Sequence, residues 1–178
     1  MRKMAAIIGG LAAVALGALL IVNLGGKADD QVLGTEDIKQ LVREYSSGQS
    51  DVKNASISST ELIVTGNNNQ SVTYPLPKDE FFVSIAPFVN ETHPCAIHSL
   101  TGCQGELKGQ EIKLTVKDNE GNTVIDDTVS TLDNGFVDLW LARDKTYSVR
   151  IEQNGLTSES QISTFEGDNT CITTMQLI

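Results

Sequence analysis

"TYSVRIEQNGLTSESQIST", Thr146 to Thr164, decides the fold class. Its first half puts Tyr147, Val149 and Ile151 on one face and Ser148, Arg150 and Glu152 on the other, the period of two that a half-buried strand requires. Asn154–Gly155 tolerates the positive φ of a two-residue hairpin, and a second β-rich run follows it. The same pattern fills the C-terminal part of the chain. "EIKLTVKD" (111–118) places Ile112, Leu114 and Val116 on one face, and "DNEGN" turns it into "TVIDDTVST". After "LDNG", the stretch "FVDLWLA" alternates Val137, Leu139 and Leu141 with Phe136, Asp138 and Trp140. "FFVSIAPFV" (81–89) reads as a buried strand in which Pro87 marks a bulge or an edge position. "CITTMQLI" closes the chain as a last strand. About seven short strands at this spacing predict an antiparallel β-sandwich over residues 78–178.

Residues 29–77 read differently. "TEDIKQLVREYSSG" predicts an amphipathic helix that covers a sheet: Thr35 as N-cap, Glu36 and Asp37 at the positive end, and Ile38, Leu41, Val42 and Tyr45 on one face, with Gly48 as the stop. "ASISSTELIVTG" and "SVTYPLP" are β-rich and separated by the turn "GNNNQ". The fold class is therefore α+β, a small helix-plus-hairpin N-terminal unit followed by the antiparallel sandwich. "PLPKDE" (75–80), with two prolines and three charges, is the best boundary between them.

Residues 1–28 stand apart. Arg2 and Lys3 precede an apolar run from Met4 to Leu24, the layout of an export signal. The run is 21 residues long, and about 20 span a bilayer as a helix. No convincing small-x-small cleavage site follows, so a retained signal anchor is favoured over a cleaved signal peptide. Either way the remainder lies outside the cytoplasm, in the periplasm or on the outer face of the membrane. The net charge of −10 comes from 23 acidic against 13 basic side chains, with no basic stripe, which argues against nucleic acid as a partner.

Export frames the densest chemistry in the chain, "HPCAIHSLTGC" (93–103). Both histidines of the chain and two of its three cysteines lie here; Cys171 is the third. Outside the cytoplasm thiols tend to oxidise, so a disulfide from Cys95 or Cys103 to Cys171 is one reading. An odd cysteine count leaves one thiol free, shared or liganded. A metal site is the second reading. Cys95, His98, Cys103 and Cys171 are soft donors that favour Cu(I), which is content with two or three sulfurs. Zn(II) is the alternative ion, since Cys3His also supplies a closed tetrahedron. The third reading is thiol exchange, a redox role for a free thiol beside a disulfide. The concentration of both histidines beside the cysteines puts the metal reading first.

At these residues the sequence resembles the CueP family of bacterial extracytoplasmic copper-binding proteins. The marks are "HPCAIHSLTGCQGEL", preceded by "FFVSIAPFVNET" and followed by "DNGFVDLWLARD" and "TCITTMQL". The resemblance runs from roughly Tyr74 to Leu177, and residues 35–76 match less clearly. It implies copper binding and copper tolerance outside the cytoplasm, with the metal-binding cysteines carried over to Cys95, Cys103 and Cys171 and with His98 contributing. A copper-accepting extracytoplasmic protein and a second copy of the chain are the candidate protein partners, and no catalytic role is expected.

Other features carry less. His93 reads better as a solvent-facing loop histidine than as an outer ligand or proton acceptor. Met175 is too far along the last strand from Cys171 to share an ion and belongs to the core. Phe136 and Trp140 read as sandwich packing before they read as a shield for a copper loop. "DNEGN" lacks the ligand spacing of a calcium loop. Cys95 and His98 lack the orienting group of a nucleophilic pair.

Overall fold

The computed structural model describes residues 34–49 and 51–178. The signal peptide or anchor expected over residues 1–28 lies outside them. Among the described residues no helix is long and apolar enough to cross a membrane. One helix, α1 (Thr35–Ser46), is followed by β1 (Asn54–Ile57), β2 (Glu61–Thr65), β3 (Ser71–Pro75) and β4 (Glu80–Ile85). Then come β5 (His98–Ser99), β6 (Glu111–Asp118), β7 (Thr123–Ser130), β8 (Val137–Ala142), β9 (Thr146–Gln153), β10 (Leu156–Ser163) and β11 (Cys171–Ile172). They form three sheets, β3-β2-β1-β5, β11-β4-β8 and β10-β9-β6-β7.

β4 is the hinge of the architecture. As the middle strand of its sheet it is covered on both faces, which is why Phe81 to Ile85 are all buried, with Ser84 the one polar residue among them. Phe81, Val83 and Ile85 join Val137, Leu139 and Leu141 of β8 against Ile112, Leu114, Val116, Tyr147, Val149 and Ile151 of the four-stranded β10-β9-β6-β7 sheet. This is the sandwich core, and Met175 is buried in it as expected. Phe82, on the opposite face of β4, packs with Ile38, Val42 and Tyr45 of the helix and Ala55, Ile57 and Leu62 of the first sheet. Each large apolar side chain enclosed this way contributes roughly 1.5–3 kcal/mol.

Several details differ from the sequence reading. Gly34, not Thr35, is the N-cap of α1; its backbone N–H donates to the Asp37 carboxylate at 3.0 Å. "ASISSTELIVTG" is two strands rather than one, turned at Ser58, whose hydroxyl accepts from the N–H groups of Thr60 (3.3 Å) and Glu61 (3.2 Å). The sheets are not wholly antiparallel either. β11 runs parallel to β4, with Cys171 opposite Ser84. Only Cys171 and Ile172 of the expected last strand pair there, and Pro87 lies beyond the end of β4.

The described residues before and after the boundary at 77 share structure directly. β5, from within the cysteine-rich loop, adds to the edge of β1 with His98 opposite Ile57. Arg143 donates to the carbonyls of Ser59 (2.6 Å) and Pro77 (3.2 Å). Asp138 accepts from the hydroxyls of Ser46 and Ser84, both at 2.6 Å, tying the end of the helix to the central sheet, and burial raises its pKa.

Candidate metal centre

The segment from Ala86 to Ile97 leaves the end of β4 and returns as β5, so backbone contacts decide where its cysteine goes. The Ala96 carbonyl accepts from the N–H groups of Thr170 (3.0 Å) and Cys171 (3.2 Å), which sets Cys95 beside Cys171. Their sulfurs are at bonding distance as a disulfide, with Cα atoms 5.6 Å apart. One threonine hydroxyl joins three segments at this point: Thr170 Oγ1 donates to the Ile57 carbonyl (2.6 Å) and accepts from the His98 backbone N–H (3.1 Å).

Cys103 completes the sulfur cluster. A tight turn makes its N–H donate to the Ser99 carbonyl (3.0 Å), while the Ser99 N–H points at its Sγ (3.4 Å). That sulfur lies 3.6 Å from Cys95 Sγ and is a free thiol, partly exposed. A backbone-to-backbone contact holds the following residues. The Gly105 N–H donates to the Asn134 carbonyl at 2.6 Å. A Cβ on Gly105 would fall 2.7 Å from the Gly135 carbonyl oxygen, and Gly135 itself has a φ of +82°. Only glycine fits this crossing.

His98 is the least ordinary side chain of the site. It is 0% exposed, and neither ring nitrogen has a hydrogen-bond partner among the described residues. Its ring sits 4.6 Å from that of Phe136 and 6.1 Å from that of Phe82. Burial, with a smaller contribution from His93, lowers its pKa to about 4, so the imidazole is neutral and its lone pair is free. A buried imidazole with both nitrogens orphaned is costly unless something binds it.

The donor atoms of His98, Cys103 and Cys171 all lie within 4.8 Å of one another, as do those of His93, Cys95 and Cys103. All four residues singled out as ligands are thus in one cluster, and His93 joins it. Met175 does not. Phe136, fully buried, forms a small apolar cluster with Ala86 and Cys171 against which Cys95 and Cys103 pack, so it walls the donor cluster as well as packing the sandwich. Trp140 packs instead on Phe82, 5.3 Å between ring centres. Three sulfurs and a dry, neutral imidazole are a donor set suited to Cu(I) or Zn(II).

Glu106 is a residue that pattern reading missed. Its carboxylate accepts from the N–H groups of Val89 (2.6 Å), Asn90 (2.9 Å) and Glu91 (3.3 Å) and from the Asn90 side chain (3.0 Å). It therefore clamps the segment leading to His93 onto the segment leaving Cys103. The bonds from Asn90, backbone first and side chain second, then those from Val89 and Glu91, bring its pKa down to about 2. A depressed carboxylate contributes stability that is complete above its unfolded pKa, near 4.5, and is lost as pH falls through about 2. Glu106→Gln is expected to flatten the fall in stability between those limits, read from denaturant midpoints across the acid range. An unchanged slope would show that the clamp does not hold in solution.

Comparison with known proteins bears on the whole described chain. The family model described as periplasmic copper-binding protein CueP matches residues 37–176, so the match takes in the helix and first sheet as well as the sandwich. A solved structure, described as the crystal structure of S.CueP, is 34% identical with a TM-score of 0.74; the alignment covers 79% of this chain and 89% of that one. No curated protein matches the chain.

Proposed function

This chain belongs to the CueP family of periplasmic copper-binding proteins, and we propose that it holds Cu(I) through the thiolates of Cys95, Cys103 and Cys171 with His98 as the imidazole ligand. The observation that carries this reading is the buried, neutral His98, whose unpartnered nitrogens lie beside two of the three sulfurs. Soft thiolates select Cu(I) over harder ions, and the Phe82 and Phe136 rings around His98 keep water from competing. Copper is cargo here: it is bound outside the cytoplasm, which limits the free ion, and passed to an accepting protein by replacing one thiolate at a time. If residues 1–28 are retained as an anchor, this takes place at the outer face of the membrane.

Thiolates bind only when deprotonated, so affinity falls towards acid pH. The test is a competition titration of the reduced chain with Cu(I), with Zn(II) in parallel, for the protein and its Cys103→Ser variant. Cys103 is outside the disulfide and partly exposed, so the variant should fold while its Cu(I) affinity drops by more than about tenfold. An unchanged affinity removes the site.

One observation favours a second reading. A free thiol 3.6 Å from a disulfide sulfur is the arrangement thiol exchange needs. Catalytic turnover of a disulfide substrate would support that reading, and stoichiometric reaction alone would count against it.

A further inference from the structure

The cluster does not form one undivided set of donors. It forms two sets that share Cys103, and they differ in depth. In the inner set His98 and Cys171 are 0% and 1% exposed, and only Cys103 reaches towards solvent. In the outer set His93, Cys95 and Cys103 are all partly exposed. The two imidazoles approach the same aromatic wall from different levels: His98 is 4.6 Å from the Phe136 ring and His93 is 6.4 Å from it. The disulfide takes one sulfur from each set, Cys95 from the outer and Cys171 from the inner, so both sets are complete only in the reduced chain.

Resting on the copper reading above, we propose that the inner set of His98, Cys103 and Cys171 retains Cu(I), and that the outer set of His93, Cys95 and Cys103 is where Cu(I) enters and leaves, with His93 as the exchange ligand. A d10 ion changes ligands by gaining an incoming donor before releasing an outgoing one. An external thiolate or imidazole cannot reach the enclosed His98 and Cys171. It can reach the outer donors. Cys103 belongs to both sets, so it keeps its bond throughout. Cys95, a ligand of the held ion already, keeps its bond as well; the Cu–S bond to Cys171 breaks, and the nitrogen of His93 replaces that of His98. The step is ligand substitution alone: the copper stays Cu(I), each thiolate leaves as the thiolate it was, and one ring nitrogen takes the place of another. The Cys95 and Cys103 sulfurs are 3.6 Å apart and each donor set fits within 4.8 Å, so the ion can cross without being released.

This assigns to His93 a kinetic role that a solvent-facing loop histidine would not have. The experiment uses the reduced full chain and its His93→Ala and His98→Ala variants, with His93→Gln as a second replacement should alanine disturb the loop. Equilibrium Cu(I) affinity is measured by competition, and the rate of Cu(I) transfer to excess chelator by stopped flow. His93→Ala should slow transfer about tenfold with a smaller loss of affinity than His98→Ala shows. Transfer at the wild-type rate in both His93 variants, with copper still bound tightly, overturns the exchange role and leaves the copper site standing. A loss of affinity in His93→Ala as large as in His98→Ala overturns the division into retaining and exchanging sets. Failure of the unaltered reduced chain to bind Cu(I) overturns this proposal together with the reading it rests on.

Discussion

Closing the Cys95–Cys171 disulfide is expected to lower Cu(I) affinity by at least about 100-fold, beyond the range in which supporting residues act on a metal site. Oxidation removes two of the three thiolates and leaves Cys103 as the one sulfur donor beside the two imidazoles. A sulfur committed to a disulfide has no thiolate charge to offer. The comparison is made by competition titration of the oxidised and the fully reduced chain, with the thiol count confirmed by alkylation. Equal affinity in the two states would place the copper away from these sulfurs.

Phe136→Ala is expected to cost about 3–5 kcal/mol of folding stability, the range for removing a fully buried aromatic ring. The ring is 0% exposed and packs against Ala86 and Cys171 while flanking His98. Its loss opens a cavity on the side of the imidazole that has no polar partner, so water reaches the site as well. Denaturant unfolding of the oxidised chain measures the stability term, and Phe136→Leu, which keeps much of the apolar volume, should cost less. A loss under about 1 kcal/mol for the alanine variant would mean that the ring is not packed as the structure has it.

The features legible in the sequence were those set by short-range chemistry. The Asn154–Gly155 hairpin forms with both residues at positive φ, 52° and 83°, and joins β9 to β10 in the register that the alternation implied. Ile112, Leu114 and Val116 are buried on one face of β6 as their spacing required. The helix is amphipathic over the expected residues. The turn at Ser58 was not legible, because it is made by a side-chain hydroxyl and contains no Gly, Pro or Asn to signal it. The parallel pairing of β11 on β4 was not legible either: period-two alternation states which face is buried but says nothing about direction or neighbour.

The site followed the same division. Soft donors concentrated in one loop singled out Cys95, His98 and Cys103 as candidate ligands, with Cys171 added as the third cysteine. What positions them is long-range and left little local trace. His98 was expected in a loop, yet it lies in a two-residue strand because β1 has an open edge there and Thr170, 72 residues later, bonds its backbone N–H. Glu106 is an ordinary loop acid in the sequence, and its role appears only when Val89, Asn90 and Glu91 turn their N–H groups towards it. Phe136 sits at the start of an alternating strand and reads as packing; only the fold brings its ring against His98.

X-ray absorption at the copper edge of the reduced, copper-loaded chain reads the proposed ligands themselves. A thiolate-and-imidazole site gives an edge characteristic of Cu(I) and a nearest shell dominated by sulfur, with an imidazole contribution that disappears in His98→Ala. A nearest shell of nitrogen and oxygen alone, or an edge of Cu(II) under reducing conditions, would contradict it.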